Sequence, residues 1–302
     1  MTVKEMQEEI RDLLKKKNAV LLAHYYQAGE IQDCADFLGD SLALSIEAAG
    51  TAADCIVFAG VRFMAETAAI LAPEKTVLLP VPDAGCPLAD RITAKELEDA
   101  RRRHPRAAVV TYVNSTAETK ALSDICCTSS NAVKVVRSID APEIIMAPDG
   151  NLARYVARFT DTSVIPWEGV CPVHQGLTAE DIRKIRRDHP GAPLAVHPEC
   201  SPEVIDLADF TGSTSAIIEF AGKTPADRVI IGTETGILHE LKKRYPGKTF
   251  IPAADSLVCK DMKKIELTDV LAALKETQYV VTVPEDTRLP ARAALSRMLE
   301  LA

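Results

Sequence analysis

The sequence predicts an α/β protein built from three similar αβα units. Each unit carries a small parallel sheet, and the three surround a pseudo-threefold axis with the active site at its centre. Three observations predict this. Three segments open on the same helix-start signature, an apolar strand follows each helix, and three cysteines recur at matching places, 85 and 88 residues apart. Strands alternating with helices argue for parallel sheets covered on both faces.

The helix starts are Thr2-Val-Lys-Glu5, Thr93-Ala-Lys-Glu96 and Thr178-Ala-Glu-Asp181. Each sets a threonine N-cap three residues before an acid, the capping-box pattern. Two of the helices stop at His104-Pro105 and His189-Pro190, because proline disfavours helical backbone in the residue before it. The strands Ala19–Ala23, Ala107–Thr111 and Ala192–Val196 follow, delivering the ring residues His24, Tyr112 and His197. From these anchors the copies align without a gap for about 40 residues, the span set by the repeat itself. Second strands follow at Cys55–Phe58, Glu143–Met146 and Arg228–Ile231, and third strands at Thr76–Leu79, Ser163–Ile165 and Thr249–Ile251. The length of 302 residues alone suggests two domains. The repeat replaces that with three: 1–92, 93–177 and 178–266. The tail 267–302 is expected to pack back on the first, with a helix near Thr268–Lys275 and a strand at Tyr279–Val283.

The composition excludes several functions. The net charge is −8, which disfavours nucleic acid and anionic membranes as partners. No apolar run reaches the roughly 20 residues of a bilayer span. The charged N-terminus lacks the apolar core of a signal peptide, so a cytoplasmic location is expected. In that compartment eight cysteines point to metal or catalysis before disulfides.

Cys86, Cys171 and Cys259 each follow the third strand of their unit, whereas Cys34, Cys55, Cys126, Cys127 and Cys200 have no repeat equivalents. A lone cysteine is ordinarily a small buried hydrophobe, and Cys34 and Cys55 are read that way. Three thiols on equivalent loops would instead converge on the axis. Three ligands without a fourth suit an iron–sulfur cluster with one open iron or a zinc with one open site, and spacing leaves both open.

Two positions past each anchor lie Tyr26, Asn114 and Glu199, which share a side of the chain with His24, Tyr112 and His197. His197 and Glu199 are general acid/base candidates. His174, three residues after Cys171, is a candidate for the same pocket. His104 and His189 read as structural helix ends, and His239 as surface or core. Ser41, Ser129 and Thr214 stand at equivalent positions before apolar helical stretches. Such helix N-termini cap themselves with hydroxyls and also attract anions, so three of them suggest a substrate with several anionic groups. No Walker loop, dinucleotide fingerprint or nucleophile elbow occurs, and Gly232–Gly236 reads as a strand-end loop.

The motifs Ala23-His24-Tyr25-Tyr26-Gln27, Gly39-Asp40-Ser41, Asp83-Ala-Gly-Cys86-Pro87, Thr111-Tyr112-Val113-Asn114, Cys171-Pro-Val-His174, His197-Pro-Glu199-Cys200 and Cys259 resemble those of the quinolinate synthase family. These are iron–sulfur enzymes of de novo NAD biosynthesis. The resemblance runs along the whole chain. It implies condensation of iminoaspartate with dihydroxyacetone phosphate to quinolinate, with loss of phosphate and two waters. It implies a [4Fe-4S] cluster on Cys86, Cys171 and Cys259. It also implies Glu199 as principal acid/base, and Tyr26, Tyr112, His24 and His197 as positioning and proton-relay groups. Asn114 would orient substrate, while Ser41, Ser129 and Thr214, with His174 nearby, would hold phosphate or carboxylates. An aspartate-oxidising enzyme is the implied source of iminoaspartate. Some family members carry a Cys-x-x-Cys redox pair at the last ligand. Here Lys260-Asp261-Met262 follows Cys259, so that switch is not expected. The competing readings are a zinc-dependent aldolase or hydrolase on the same thiols and a non-enzymatic iron–sulfur sensor.

Overall fold

The computed structural model describes residues 1–302. The first unit runs α1 (Val3–Lys16), β1 (Ala19–His24), α2 (Gly29–Gln32), β2 (Phe37–Gly39), α3 (Ser41–Gly50), β3 (Cys55–Ala59), α4 (Arg62–Leu71) and β4 (Thr76–Leu78). The second runs α5 (Ala94–Arg103), β5 (Ala107–Tyr112), α6 (Ala117–Ala121), β6 (Ile125–Cys127), α7 (Ala132–Arg137), β7 (Glu143–Ala147), α8 (Gly150–Ala157) and β8 (Ser163–Pro166), followed by the single turn α9 (Pro172–Gln175). The third runs α10 (Ala179–Asp188), β9 (Leu194–Val196), α11 (Pro202–Ile205), β10 (Phe210–Thr211), α12 (Thr214–Lys223), β11 (Arg228–Gly232), α13 (Ile237–Arg244) and β12 (Thr249–Pro252). Two tail helices close the chain, α14 (Leu267–Glu276) and α15 (Glu285–Glu300).

Each unit is one four-stranded parallel sheet in the same order: β2-β1-β3-β4, β6-β5-β7-β8 and β10-β9-β11-β12. Ala19 pairs with Cys55, Ala107 with Glu143 and Leu194 with Ile230, the same offset each time. All three predicted capping boxes form, at Thr2/Glu5, Thr93/Glu96 and Thr178/Asp181, and His104 and His189 are the C-caps of their helices.

The structure corrects the sequence reading in three places. Each sheet has a fourth strand (β2, β6 or β10), reached through a helical turn (α2, α6 or α11). These elements hold only two to five residues, too few for a hydrophobic period to show. The strand expected at Tyr279–Val283 is not formed. Val280 makes one antiparallel bridge to Leu78, and Tyr279 and Val280 stay about half exposed against the edge of the short β4. The tail then forms the long helix α15, which the sequence reading lacked. Its Pro290 masks the helical pattern.

α14 packs on α1, while α15 lies against α4, α6 and β6 and so joins the first two units. One apolar core accordingly runs through the first unit, one face of the second sheet and the tail, whereas the other face of the second sheet and both faces of the third keep separate cores. The sheet interiors are near-continuous apolar runs, as parallel sheets covered on both faces require.

Candidate active site

The central strands β1, β5 and β9 aim their carboxyl ends at one cleft, where ligands of parallel α/β sheets bind. His24 and Tyr112 are the last residues of β1 and β5, and His197 directly follows β9. His24 Nδ1 accepts the Tyr26 N–H at 3.1 Å, and His197 Nδ1 accepts the Glu199 N–H at 3.3 Å. Each imidazole thereby fixes the turn that presents the residue two positions on. An acceptor Nδ1 leaves the proton of the neutral ring on Nε2. His197 Nε2 can then donate to Ser129 Oγ, 3.2 Å away.

The hydroxyl positions are less uniform. Ser41 and Thr214 are the first residues of α3 and α12, behind the side-chain caps Asp40 and Ser213. Ser129 does not open a helix as expected. Asn131 Oδ1 accepts the Thr128 N–H at 2.8 Å, closing an extra turn that delays α7 to Ala132. Ser129 still faces the same cleft.

All thirteen residues singled out from the sequence line this one cleft. They are His24, Tyr26, Ser41, Cys86, Tyr112, Asn114, Ser129, Cys171, His174, His197, Glu199, Thr214 and Cys259. Val61, Phe63, Met64, Val173 and Met262 give the cleft an apolar wall. Asp40 and Glu234 also line it and were not singled out, nor was Thr233 behind it. Asp40 stands in the Gly39-Asp40-Ser41 motif and caps α3 with its side chain. Glu234 and Thr233 sit in the Gly232–Gly236 loop, where no motif marks them. No lysine or arginine lines the cleft.

The polar groups are connected. His174 Nδ1 lies 2.6 Å from Glu199 Oε2, and His174 Nε2 lies 2.8 Å from Thr233 Oγ1. Tyr26 Oη lies 2.6 Å from Thr233 Oγ1 and 2.8 Å from Thr214 Oγ1. The His174 and His197 rings stack at 4.6 Å. Glu199 Oε1 and Asn114 Oδ1 are buried with no hydrogen-bond partner in the protein.

A family model described as quinolinate synthetase A protein matches residues 8–300. The chain is 56% identical over 296 residues to the quinolinate synthase of Methanoregula boonei, with 98% of each chain covered. It is 54% identical over 297 residues to that of Geotalea uraniireducens, again with 98% of each covered. It is 54% identical over 301 residues to that of Geobacter sp. strain M21, covering 100% of this chain and 99% of the relative. The chain belongs to the quinolinate synthetase A family.

In this quinolinate synthetase A family member all eight cysteines are free. The five without repeat equivalents are buried, and only Cys86, Cys171 and Cys259 are partly exposed, opening on the cleft. The carbonyl of each accepts the N–H four residues on, leading the chain into the turns Ala89–Arg91, α9 and Met262–Lys264, of which Cys171 directly caps α9. Burial pushes the Cys86 thiol up to about 12, opposed by N–H groups of the turn at Ala89 and Leu88 and reinforced by Cys259. Burial raises Cys171 and Cys259 too, opposed by turn N–H groups at His174 and at Met262 and Asp261. These N–H groups favour thiolates, the form that binds metal. Ligand atoms of Cys171, His174 and Glu199 lie within 4.8 Å of one another, a donor set suited to a metal cofactor.

Burial would raise Glu199, but His197, His174 and Tyr112 outweigh it and hold the group low as a carboxylate. Burial drives His197 down to about 3 and His24 to about 4, so both rings are neutral near pH 7. Burial raises Tyr26 and Tyr112 well above the usual range, so both remain protonated donors.

No helix is long and apolar enough to cross a membrane.

Proposed function

We propose that this chain condenses iminoaspartate with dihydroxyacetone phosphate to quinolinate, releasing phosphate and two waters, at a [4Fe-4S] cluster on Cys86, Cys171 and Cys259. The units 1–92 with the tail 267–302, 93–177 and 178–266 each contribute one ligand. The observation carrying this reading is that the three repeat-equivalent thiols are the only cysteines opening on the cleft. Three thiolates on three loops fit a cluster that keeps one iron free of protein ligands.

When bound, such a cluster supplies a Lewis-acidic iron for hydroxyl, carboxylate or nitrogen groups of the substrate. The rest falls to the chain. Glu199 is the principal acid/base. Its Oε2 is engaged by His174, and its buried, unpartnered Oε1 is free to take a proton from a bound molecule. The hydrogen bonds from His174 through Thr233 to Tyr26 connect that carboxylate to a phenol, so the orientation of Glu199 is tied to that of Tyr26 on the other side of the cleft. Tyr112 and the neutral His24 and His197 position intermediates by donating hydrogen bonds. Asn114 Oδ1 is free to accept from an imine or hydroxyl. With no lysine or arginine in the lining, phosphate and carboxylates fall to Ser41, Ser129 and Thr214 and to the first turns of α3 and α12. The apolar wall limits water around the condensing carbons. Iminoaspartate hydrolyses readily, so the same proposal includes an aspartate-oxidising enzyme as its source and a cytoplasmic location.

Full-length similarity to enzymes named quinolinate synthase disfavours both the zinc aldolase and the sensor. The test is anaerobic reconstitution with iron and sulfide, then incubation with iminoaspartate and dihydroxyacetone phosphate. About four irons and four sulfides per chain and formation of quinolinate are expected. One zinc without sulfide, or a full cluster with no quinolinate, would overturn it.

A further inference from the structure

The gapless repeat that aligns His24, Tyr112 and His197 also aligns a position thirty-seven residues later, occupied by Val61, Asp149 and Glu234. The next residue in each unit makes the same backbone bond to the cysteine loop. Arg62 N–H donates to Ala84 O at 2.8 Å, Gly150 N–H to Gly169 O at 2.7 Å, and Thr235 N–H to Leu257 O at 2.8 Å. Each acceptor lies two residues before Cys86, Cys171 or Cys259. This tether is common to all three units.

The two carboxylates add a second tether, aimed at the cysteine itself. Asp149 Oδ2 accepts the Cys171 N–H at 3.1 Å, and Glu234 Oε1 accepts the Cys259 N–H at 3.1 Å. The other oxygen of each ties into the local turn, Asp149 to the Leu152 N–H at 2.7 Å and Glu234 to the Gly236 N–H at 2.6 Å. Both carboxylates are almost wholly buried. Capping α8 explains one oxygen of Asp149 and leaves the other unexplained. Glu234 caps no helix, and it receives Lys263 at 3.1 Å, on the turn that follows Cys259. Burying a carboxylate is costly, and two independent units meet that cost at the same aligned position for the same contact. The first unit has Val61 there and no such brace.

We propose that Asp149 and Glu234 are positioning residues that brace the backbone of Cys171 and Cys259 so that both thiols point into the cleft, leaving Cys86 on the one unbraced loop. The inference rests on these cysteines being the cluster ligands. An amide at either position keeps the shape but offers one acceptor oxygen where two are used, so one buried N–H loses its partner.

The test compares Asp149→Asn and Glu234→Gln with wild type after anaerobic reconstitution. Asp36→Asn is the control, since Asp36 Oδ2 accepts the Leu21 N–H at 2.8 Å, a bond of the same kind that does not involve a cysteine loop. Cluster loss to an iron chelator is followed by absorption, and thermal unfolding is recorded on the cluster-free chains. Both variants are expected to lose the cluster about 10- to 100-fold faster than wild type, the usual range for removing an outer partner of a metal ligand. Asp36→Asn should lose it at the wild-type rate. Wild-type loss rates in both variants would overturn the proposal. So would faster loss matched in Asp36→Asn, or fully accounted for by a lower unfolding midpoint of the cluster-free chain. Failure of wild type itself to take up iron and sulfide would instead sink the cluster reading.

Discussion

His174 Nδ1 lies 2.6 Å from Glu199 Oε2, with both side chains at most 3% exposed. The same nitrogen is 3.3 Å from Cys171 Sγ, so one imidazole touches both an acid/base candidate and a metal-ligand candidate. With the proton on Nδ1, the ring donates to the carboxylate and its Nε2 accepts from Thr233. That orientation lets Tyr26 donate to Thr233 and accept from Thr214, satisfying every member of the chain.

Glu199→Gln removes the proton acceptor and preserves the shape. Iron, sulfide and cluster absorption should remain at wild-type levels, while quinolinate formation falls by at least about 10²-fold, the lower end for a lost general acid/base. Retained activity would remove Glu199 from the chemistry.

Thr233→Val is nearly isosteric and cuts the only link between His174 and Tyr26. With the cluster intact, a fall in kcat of about 10²-fold is expected, similar to that of Tyr26→Phe. If the link is the shared element, the double variant should lose little more than either single one. Additive losses would show that the two residues act separately.

Cys86→Ala should abolish cluster absorption and reduce bound iron, because a three-ligand centre loses one-third of its anchors. Cys34→Ala changes a thiol buried in the apolar core and should leave iron content unchanged. Equal iron in the two variants would exclude Cys86 as a ligand.

Burial lowers His24 from 6.5 to about 4, with Lys263 pushing the same way and Asp40 and Glu199 opposing. An unfolded chain would take up this proton below about pH 6.5. The folded chain takes it up only near 4, so within that window the unfolded state binds more protons. Stability is therefore lost as pH falls, by at most about 1.4 kcal/mol per pH unit from this group. Urea midpoints of the cluster-free chain between pH 7 and 5 should fall more steeply in wild type than in His24→Gln. Equal slopes would place the His24 pKa near its ordinary value.

The repeat made much of this molecule legible. Capping boxes at Thr2, Thr93 and Thr178 and strands ending at His24, Tyr112 and His197 are local signals that tertiary packing preserved. Aligning the copies brought Ser129 into the cleft even though its helix starts later than expected. What escaped was either too short or not local. β10 has two residues, with no period to detect. Thr233 and Glu234 belong to the site through hydrogen bonds to residues far along the chain, and a lone sequence does not display them. The tail misled for a different reason. Tyr279–Val283 has strand-forming side chains, but the β4 edge beside it is short, and helix α15 hides behind Pro290.

That unforeseen helix has a measurable role. α15 packs against α4 of the first unit and β6 of the second, and buries Ala291, Leu295 and Met298 completely. Leu295→Ala leaves a cavity in the core shared by the first two units and should cost about 2–5 kcal/mol in urea unfolding. Leu289, on the same helix, is 52% exposed, so Leu289→Ala should change stability by no more than about 0.5 kcal/mol. Because α15 bears no cleft residue, Leu295→Ala should keep its cluster wherever it remains folded. A loss near zero in Leu295→Ala would mean that α15 is an accessory to the first two units and does not hold them together.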